Sequence, residues 1–132
     1  MFFFYDNKDI KINPKTLQHA YLAILSDDLE SAKKVFEILD SSRSKWGLVL
    51  LDILKGFVVN QPTFFQIRNF LEIDLDFLIK NKKNEYIERI LSSLDYLATI
   101  NHEVYKYVAR VMLENKYYNA AYEYLNKSKE IE

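Results

Sequence analysis

The chain has 132 residues, 49% hydrophobic and 15% aromatic, with 18 basic against 19 acidic side chains, a net charge of −1 and no cysteine. That length fits one domain around one core. The even charge offers no field to draw the chain to nucleic acid or to an anionic membrane. The missing cysteines exclude a disulfide framework and thiolate metal sites, so a cytoplasmic protein is expected.

The chain opens on an aromatic run from Phe2 to Tyr5, which lacks a basic leader and is too short for a signal peptide. A turn at Asp6–Asp9 and the alternation of Ile10, Lys11 and Ile12 predict a short hairpin or extended arm over residues 1–12. Too small to be stable alone, it should dock on the helical body or on a second copy. Asn13 and Pro14 then open a first helix through Leu17, Ala20, Tyr21, Ile24 and Leu25. Asp27 followed by Glu30 reads as a capping box for a second helix, striped by Leu29, Ala32, Val35, Phe36 and Leu39. The very short turn between them predicts an antiparallel pair.

From Trp46 to Val59 the side chains are apolar on nearly every side of a helical wheel, with a polar strip of Lys45, Asp52 and Lys55. The spacing predicts a central buried helix ending near Asn60, too short and too charged to cross a bilayer. Gly47 and Gly56 would each cost about 1 kcal/mol relative to Ala inside it, which implies neighbouring backbones close enough to forbid a side chain. Pro62 starts a fourth helix to about residue 81. Its main face is Phe64, Ile67, Leu71, Leu75 and Leu78, and a second strip runs along Phe70, Ile73 and Phe77. Asp74 falls between the two, near the core, at a seam with a Lys, Arg or amide partner. After a polar loop at Lys80–Asn84, a fifth helix over residues 85–99 is amphipathic through Tyr86, Ile90, Leu94 and Leu97. Asn101 caps a sixth, to Glu114, and a last runs from Tyr117 to Ile131. Their facing stripes are Val104, Tyr105, Val108, Val111 and Met112 against Tyr118, Ala121, Tyr124, Leu125 and Ser128. The predicted fold is all-α, one domain over residues 1–132, an irregular stack of about seven antiparallel helices with a short N-terminal arm.

The first and last pairs share a spacing. Ala20 precedes Ala32 by twelve residues with Phe36 four further on, and Ala109 precedes Ala121 by twelve with Leu125 four further on. A small residue on each helix lets the pair approach, and the large residue one turn later fills the groove. With Tyr105, Val108, Ala109 and Met112, the last pair resembles a degenerate tetratricopeptide repeat. In the first pair His19 replaces a large apolar residue, and the closing proline is missing from both. The 89 residues from Ala32 to Ala121 are no multiple of that family's 34-residue period, which excludes a regular array. The resemblance implies a curved right-handed superhelix or bundle that binds peptides or partner proteins. Lys106 and Arg110, one turn apart, match the cations with which some members clamp a C-terminal carboxylate. Beside them stand Tyr107 and Glu103, completing the expected partner-binding set.

Other chemistry is not signalled. His102 and Glu103 lack the second histidine one turn on that a zinc helix needs. There is no glycine-rich phosphate loop and no nucleophile elbow, so neither a cofactor nor a metal is expected. Lys80, Lys82 and Lys83 beside Tyr86 read as a solvated loop rather than a nucleic-acid site. The reading is a non-enzymatic interaction module, an adaptor, scaffold or chaperone-like protein. Its alternatives are a structural homodimer through the N-terminal arm and an enzyme using Asp74 as an acid.

Overall fold

The computed structural model describes residues 17–56 and 61–130. The predicted arm over residues 1–12, the Asn13–Pro14 helix start, residues 57–60 and Ile131 lie outside the described residues. Among the described residues all regular backbone is helical, with no strand, and no helix is long and apolar enough to cross a membrane. Packing divides the chain into two compact units, Met1–Leu48 and Val49–Glu132.

In the first unit, α1 (Leu17–Leu25) and α2 (Leu29–Leu39) pack against each other. Ala20, Ile24, Ala32 and Phe36 are fully buried, as the small-and-large spacing requires. Asp27 takes the left-handed conformation (φ 63°) and so cannot cap α2. Asp28 does so instead, accepting from the backbone N–H and the hydroxyl of Ser31. Those two bonds hold its carboxyl below the ordinary range.

A third helix, α3 (Ser42–Leu54), begins with a reciprocal cap in which the Ser41 and Ser44 hydroxyls each accept the other's backbone N–H. The Arg43 guanidinium lies 3.7 Å from the Trp46 ring centroid and 5.0 Å from that of Tyr21. At Gly47 an added Cβ would stand 2.5 Å from Cζ of Phe36. The close approach expected there is real, but a ring makes it rather than a backbone.

Gly56 is different. The helix stops at Leu54, short of the predicted Asn60, and Gly56 is exposed at φ 89° with nothing within 4 Å of an added Cβ. It serves as the left-handed residue that ends a helix, its N–H donating to the Ile53 carbonyl. Lys45 is exposed and Asp52 and Lys55 are half-buried, as are Leu48 and Val49, so the open strip is wider than the polar residues alone.

The second unit holds two helical hairpins. Residues 64–80 form one continuous helix, from α4 (Phe64–Asn69) through a π-helical turn (Phe70–Asp74) to α5 (Leu75–Lys80). Thr63 and Gln66 close a full capping box at its start. Of the predicted main face, Ile67, Leu71, Leu75 and Leu78 are buried while Phe64 lies at the rim. Of the second strip only Phe70 is buried; Ile73 is 49% exposed and Phe77 half-buried. Asp74 is fully buried, as its place between the strips predicts.

The fifth predicted helix is broken into α6 (Asn84–Ser92) and α7 (Leu94–Ala98) at Ser93, whose hydroxyl donates to the Arg89 carbonyl one turn back. Then come α8 (Val104–Glu114) and α9 (Tyr118–Glu130), packed as a second hairpin. Of the facing stripes all five α8 residues are buried, but on α9 only Ala121 and Ser128 are. Leu125, expected to fill the groove between them, is 45% exposed. Ala109 and Ala121 are both buried, so the two helices meet through these small residues, and Leu125 opens beside them.

The α8 helix packs on the π-helical turn, on α4 and on α7. Asn101 ties the hairpins together from a fully buried position. Its amide donates to the Phe64 carbonyl (3.1 Å) and to the Tyr107 hydroxyl (3.3 Å), while its oxygen accepts from the Glu103 N–H (2.9 Å).

Three hairpin turns share one form. At Asp27, Lys82 and Lys116 a left-handed residue follows the helix and donates to the carbonyl three back, and the next N–H reaches the carbonyl five back. This is the Schellman arrangement, which satisfies two orphan carbonyls at each helix end. Of these three, the two in the second unit, at 82 and 116, stand 34 residues apart.

Candidate functional site

A groove runs between α8 and α9, with a volume of about 420 Å³. The first helix lines it with Lys106, Ala109, Arg110 and Leu113, the second with Leu125, Ser128 and Lys129. Leu113 is 54% exposed, a large apolar side chain turned to water beside the similarly open Leu125. The floor is thus apolar and the rim carries three cations.

Residues four apart on an α-helix share a face while adjacent residues turn by about 100°, and this splits the predicted set into Lys106 with Arg110 and Glu103 with Tyr107. Lys106 lines the groove. Arg110 lines it too, but its Nη1 lies 3.0 Å from Oε2 of Glu72 on the π-helical turn. Arg68 holds the other oxygen of that carboxylate at 3.2 Å. Arg110 is therefore engaged inside the chain. Glu103 and Tyr107 do not reach the groove: the Tyr107 ring is buried 5.8 Å from the Arg68 guanidinium, and its hydroxyl donates to Glu103 at 3.4 Å. The four residues share one helix but not one cleft.

Two more polar links fix the hairpins to each other. Asp76 accepts from Lys80 within its own helix and from the Asn115 amide at 2.8 Å. Burial pulls its carboxyl upward, but the bonds from Lys80 and Asn115 outweigh that and leave it below the ordinary range. Asp95 accepts from the Tyr105 hydroxyl, with Lys127 at 3.7 Å. The hydroxyl bond first, and Lys127 second, lower Asp95, while burial and then Asp95 raise the Tyr105 phenol well above its ordinary value.

A larger cavity of about 540 Å³ lies beside the end of α3, with Arg89, Glu85, Glu88 and Ser92 in its wall. Its guanidinium is committed: Arg89 donates to the Leu54 carbonyl at the C-terminus of α3 and to Glu85 at 3.1 Å. That is a helix-capping role, which fits a cation at the negative end of the dipole. Among the described residues no group of three or more His, Asp or Glu side chains is arranged to hold a metal ion. Comparison with protein-family models, with curated proteins and with solved structures finds no match.

Sequence reasoning reached Lys106 and Arg110 but missed Lys129, Leu113 and the opening of Leu125. Lys129 is 19 residues beyond Arg110 and joins it only because the hairpin folds back. No local spacing records that.

Proposed function

We propose that this chain is a non-catalytic protein-interaction module, an adaptor or scaffold of stacked helical hairpins akin to a degenerate tetratricopeptide repeat. It takes a peptide or a partner protein in the groove between α8 and α9. The observation that carries this reading is the groove's make-up: the open apolar side chains Leu113 and Leu125 between Lys106, Arg110 and Lys129. Large apolar side chains in a concave surface with charges at the rim are the chemistry of protein recognition. The 34-residue step between the turns at 82 and 116 supports the repeat-like stacking.

The test is capture of partners from native lysate by the full chain, read by mass spectrometry beside the doubly substituted Leu113→Asp, Leu125→Asp chain. Both side chains are exposed, so the melting temperature should stay within a few degrees. Partners bound through the groove should be lost from the variant. An identical set of partners on both proteins would overturn the assignment of the groove.

A further inference from the structure

A third cavity, of about 360 Å³, lies between the two hairpins of the second unit, at the end that carries their turns. It follows from how the hairpins are joined. The α8 helix lies against the π-helical turn and α4, but its C-terminal end is linked to α5 by side chains, the Asn115 amide to Asp76 at 2.8 Å and Lys80 to the Asn115 oxygen at 3.4 Å. Side chains span a wider gap than packed helices leave, and the cavity opens between these same ends, with Ile79 of α5 on one side and Met112 of α8 on the other.

Its interior is apolar. Ile79 and Met112 are buried in the wall, and Ile87 and Ala120 are half-buried beside them. Its polar lining is Lys82, Asn84 and Tyr117, all three exposed. The Lys82 ammonium, the Asn84 amide and the Tyr117 hydroxyl are each hydrogen-bond donors. Lys82 is the only charge in the lining, and no acid stands there to neutralise it. An apolar hollow between helices with a few donors and one cation fits a small molecule that is apolar along its body and carries one negative charge at its end.

We propose that this cavity binds a small amphipathic monocarboxylate, its apolar body among Ile79, Ile87 and Met112 and its carboxylate on Lys82. At about 30 Å³ per water molecule the space equals roughly twelve waters, which suits a ligand of about ten non-hydrogen atoms. A cationic head would meet Lys82 with like charge, and a doubly charged phosphate would bring a second charge that no other cation of the lining offsets. The cavity shares no lining residue with the α8–α9 groove, so the inference goes beyond the interaction-module reading and stands or falls apart from it.

The test is isothermal titration calorimetry on the full chain with three probes of one chain length: octanoate, octan-1-ol and octylamine. Octanoate should bind at least about tenfold more tightly than octylamine, with octanol between them, and salt should narrow the difference. Lys82 is exposed, so Lys82→Gln should leave the melt unchanged and bring octanoate down to the level of octanol. Ala120→Phe fills the cavity and should weaken octanoate and octanol alike.

Equal affinity for octanoate and octylamine, or no binding of octanoate, would overturn the proposal. So would octanoate binding that survives Lys82→Gln undiminished, since the anion would then sit elsewhere; that variant decides alone if the Ala120→Phe chain fails to fold. None of these results bears on partner capture through the groove, which the Leu113→Asp, Leu125→Asp chain tests separately.

Discussion

Replacing Gly47 by Ala sets two known effects against each other. Ala in a helix interior is better than Gly by about 1 kcal/mol, so the substitution should stabilise α3 if the site is open. It is not open: the new Cβ would stand 2.5, 2.7 and 2.8 Å from Cζ, Cε1 and Cε2 of Phe36. Phe36 is wholly buried, and its ring is held edge to face with Tyr21 at 5.9 Å. It cannot withdraw without disturbing α1. Overpacking of this kind costs about 1–3 kcal/mol, leaving a net loss of up to about 2 kcal/mol after the helix-propensity gain. At roughly 4 °C per kcal/mol for a chain of this size, the thermal midpoint should fall by several degrees. A second background isolates the cause. Leu lacks the Cε and Cζ atoms that clash, so in the Phe36→Leu chain the same Gly47→Ala change should stabilise by about 1 kcal/mol. Urea denaturation of all four proteins measures the cycle. An unchanged or raised midpoint for Gly47→Ala alone, or the same shift in both backgrounds, would refute the role given to the ring.

The other glycine should answer to conformation rather than space. Gly56→Ala should destabilise by about 1 kcal/mol because φ is positive, whereas Gly56→Asn should be nearly neutral, both read by urea midpoint. Asn101→Ala removes a buried amide that serves the Phe64 carbonyl, Tyr107 and the Glu103 N–H, and should cost about 1–3 kcal/mol; Asn101→Asp should not rescue it, since a carboxylate cannot donate to a carbonyl. Stability should also fall at both ends of the pH range. The Asp95 and Asp76 carboxyls lie below their ordinary 3.8 in the folded chain, so their contribution is full above that pH and is lost as pH drops. The Tyr105 phenol lies above its ordinary 10.0, so its contribution is full below pH 10.0 and is lost as pH climbs. Tyr105→Phe should flatten the alkaline limb and weaken the acid limb in a series of thermal melts, and an unaltered profile would count against the Tyr105–Asp95 contact.

Much of the helical pattern was legible because burial and periodicity coincide. Ala20, Ile24, Ala32 and Phe36 are both the predicted stripe and the buried core of the α1–α2 pair. Helix ends were harder to read, because the left-handed residues that close three hairpin turns are Asp27, Lys82 and Lys116 rather than glycine. Tertiary packing holds them in a conformation their own preferences disfavour. Gly56, the one glycine that does close a helix, was read as interior because apolar residues continue beyond it. The 34-residue step was hidden for a similar reason. Where the last hairpin has Ala109 and Ala121, the preceding one has Leu75 and Ile87, so the turns repeat while the small-residue motif does not.

The π-helical turn was foreshadowed in the pattern and shapes the charge pairing. Ile67, Leu71, Leu75 and Ile79 are buried at strict intervals of four, and so are Phe70, Asp74 and Leu78. In an α-helix each such interval drifts by about 40°, so three of them would carry the row about 120° around the axis. One turn bonded five residues back holds an extra residue, about 100° of rotation, and returns the row to one face. The acids Glu72 and Asp76 straddle the end of this turn and both meet the second hairpin, at Arg110 and Asn115. No such turn exists in α8, and there Lys106 and Arg110, four residues apart, both line the groove. Arg110 also reaches Glu72 and so ties the two hairpins together. Of the two cations that look like one clamp in the sequence, Arg110 is thus bound to Glu72 on the hairpin before it, a link that no spacing within α8 could record.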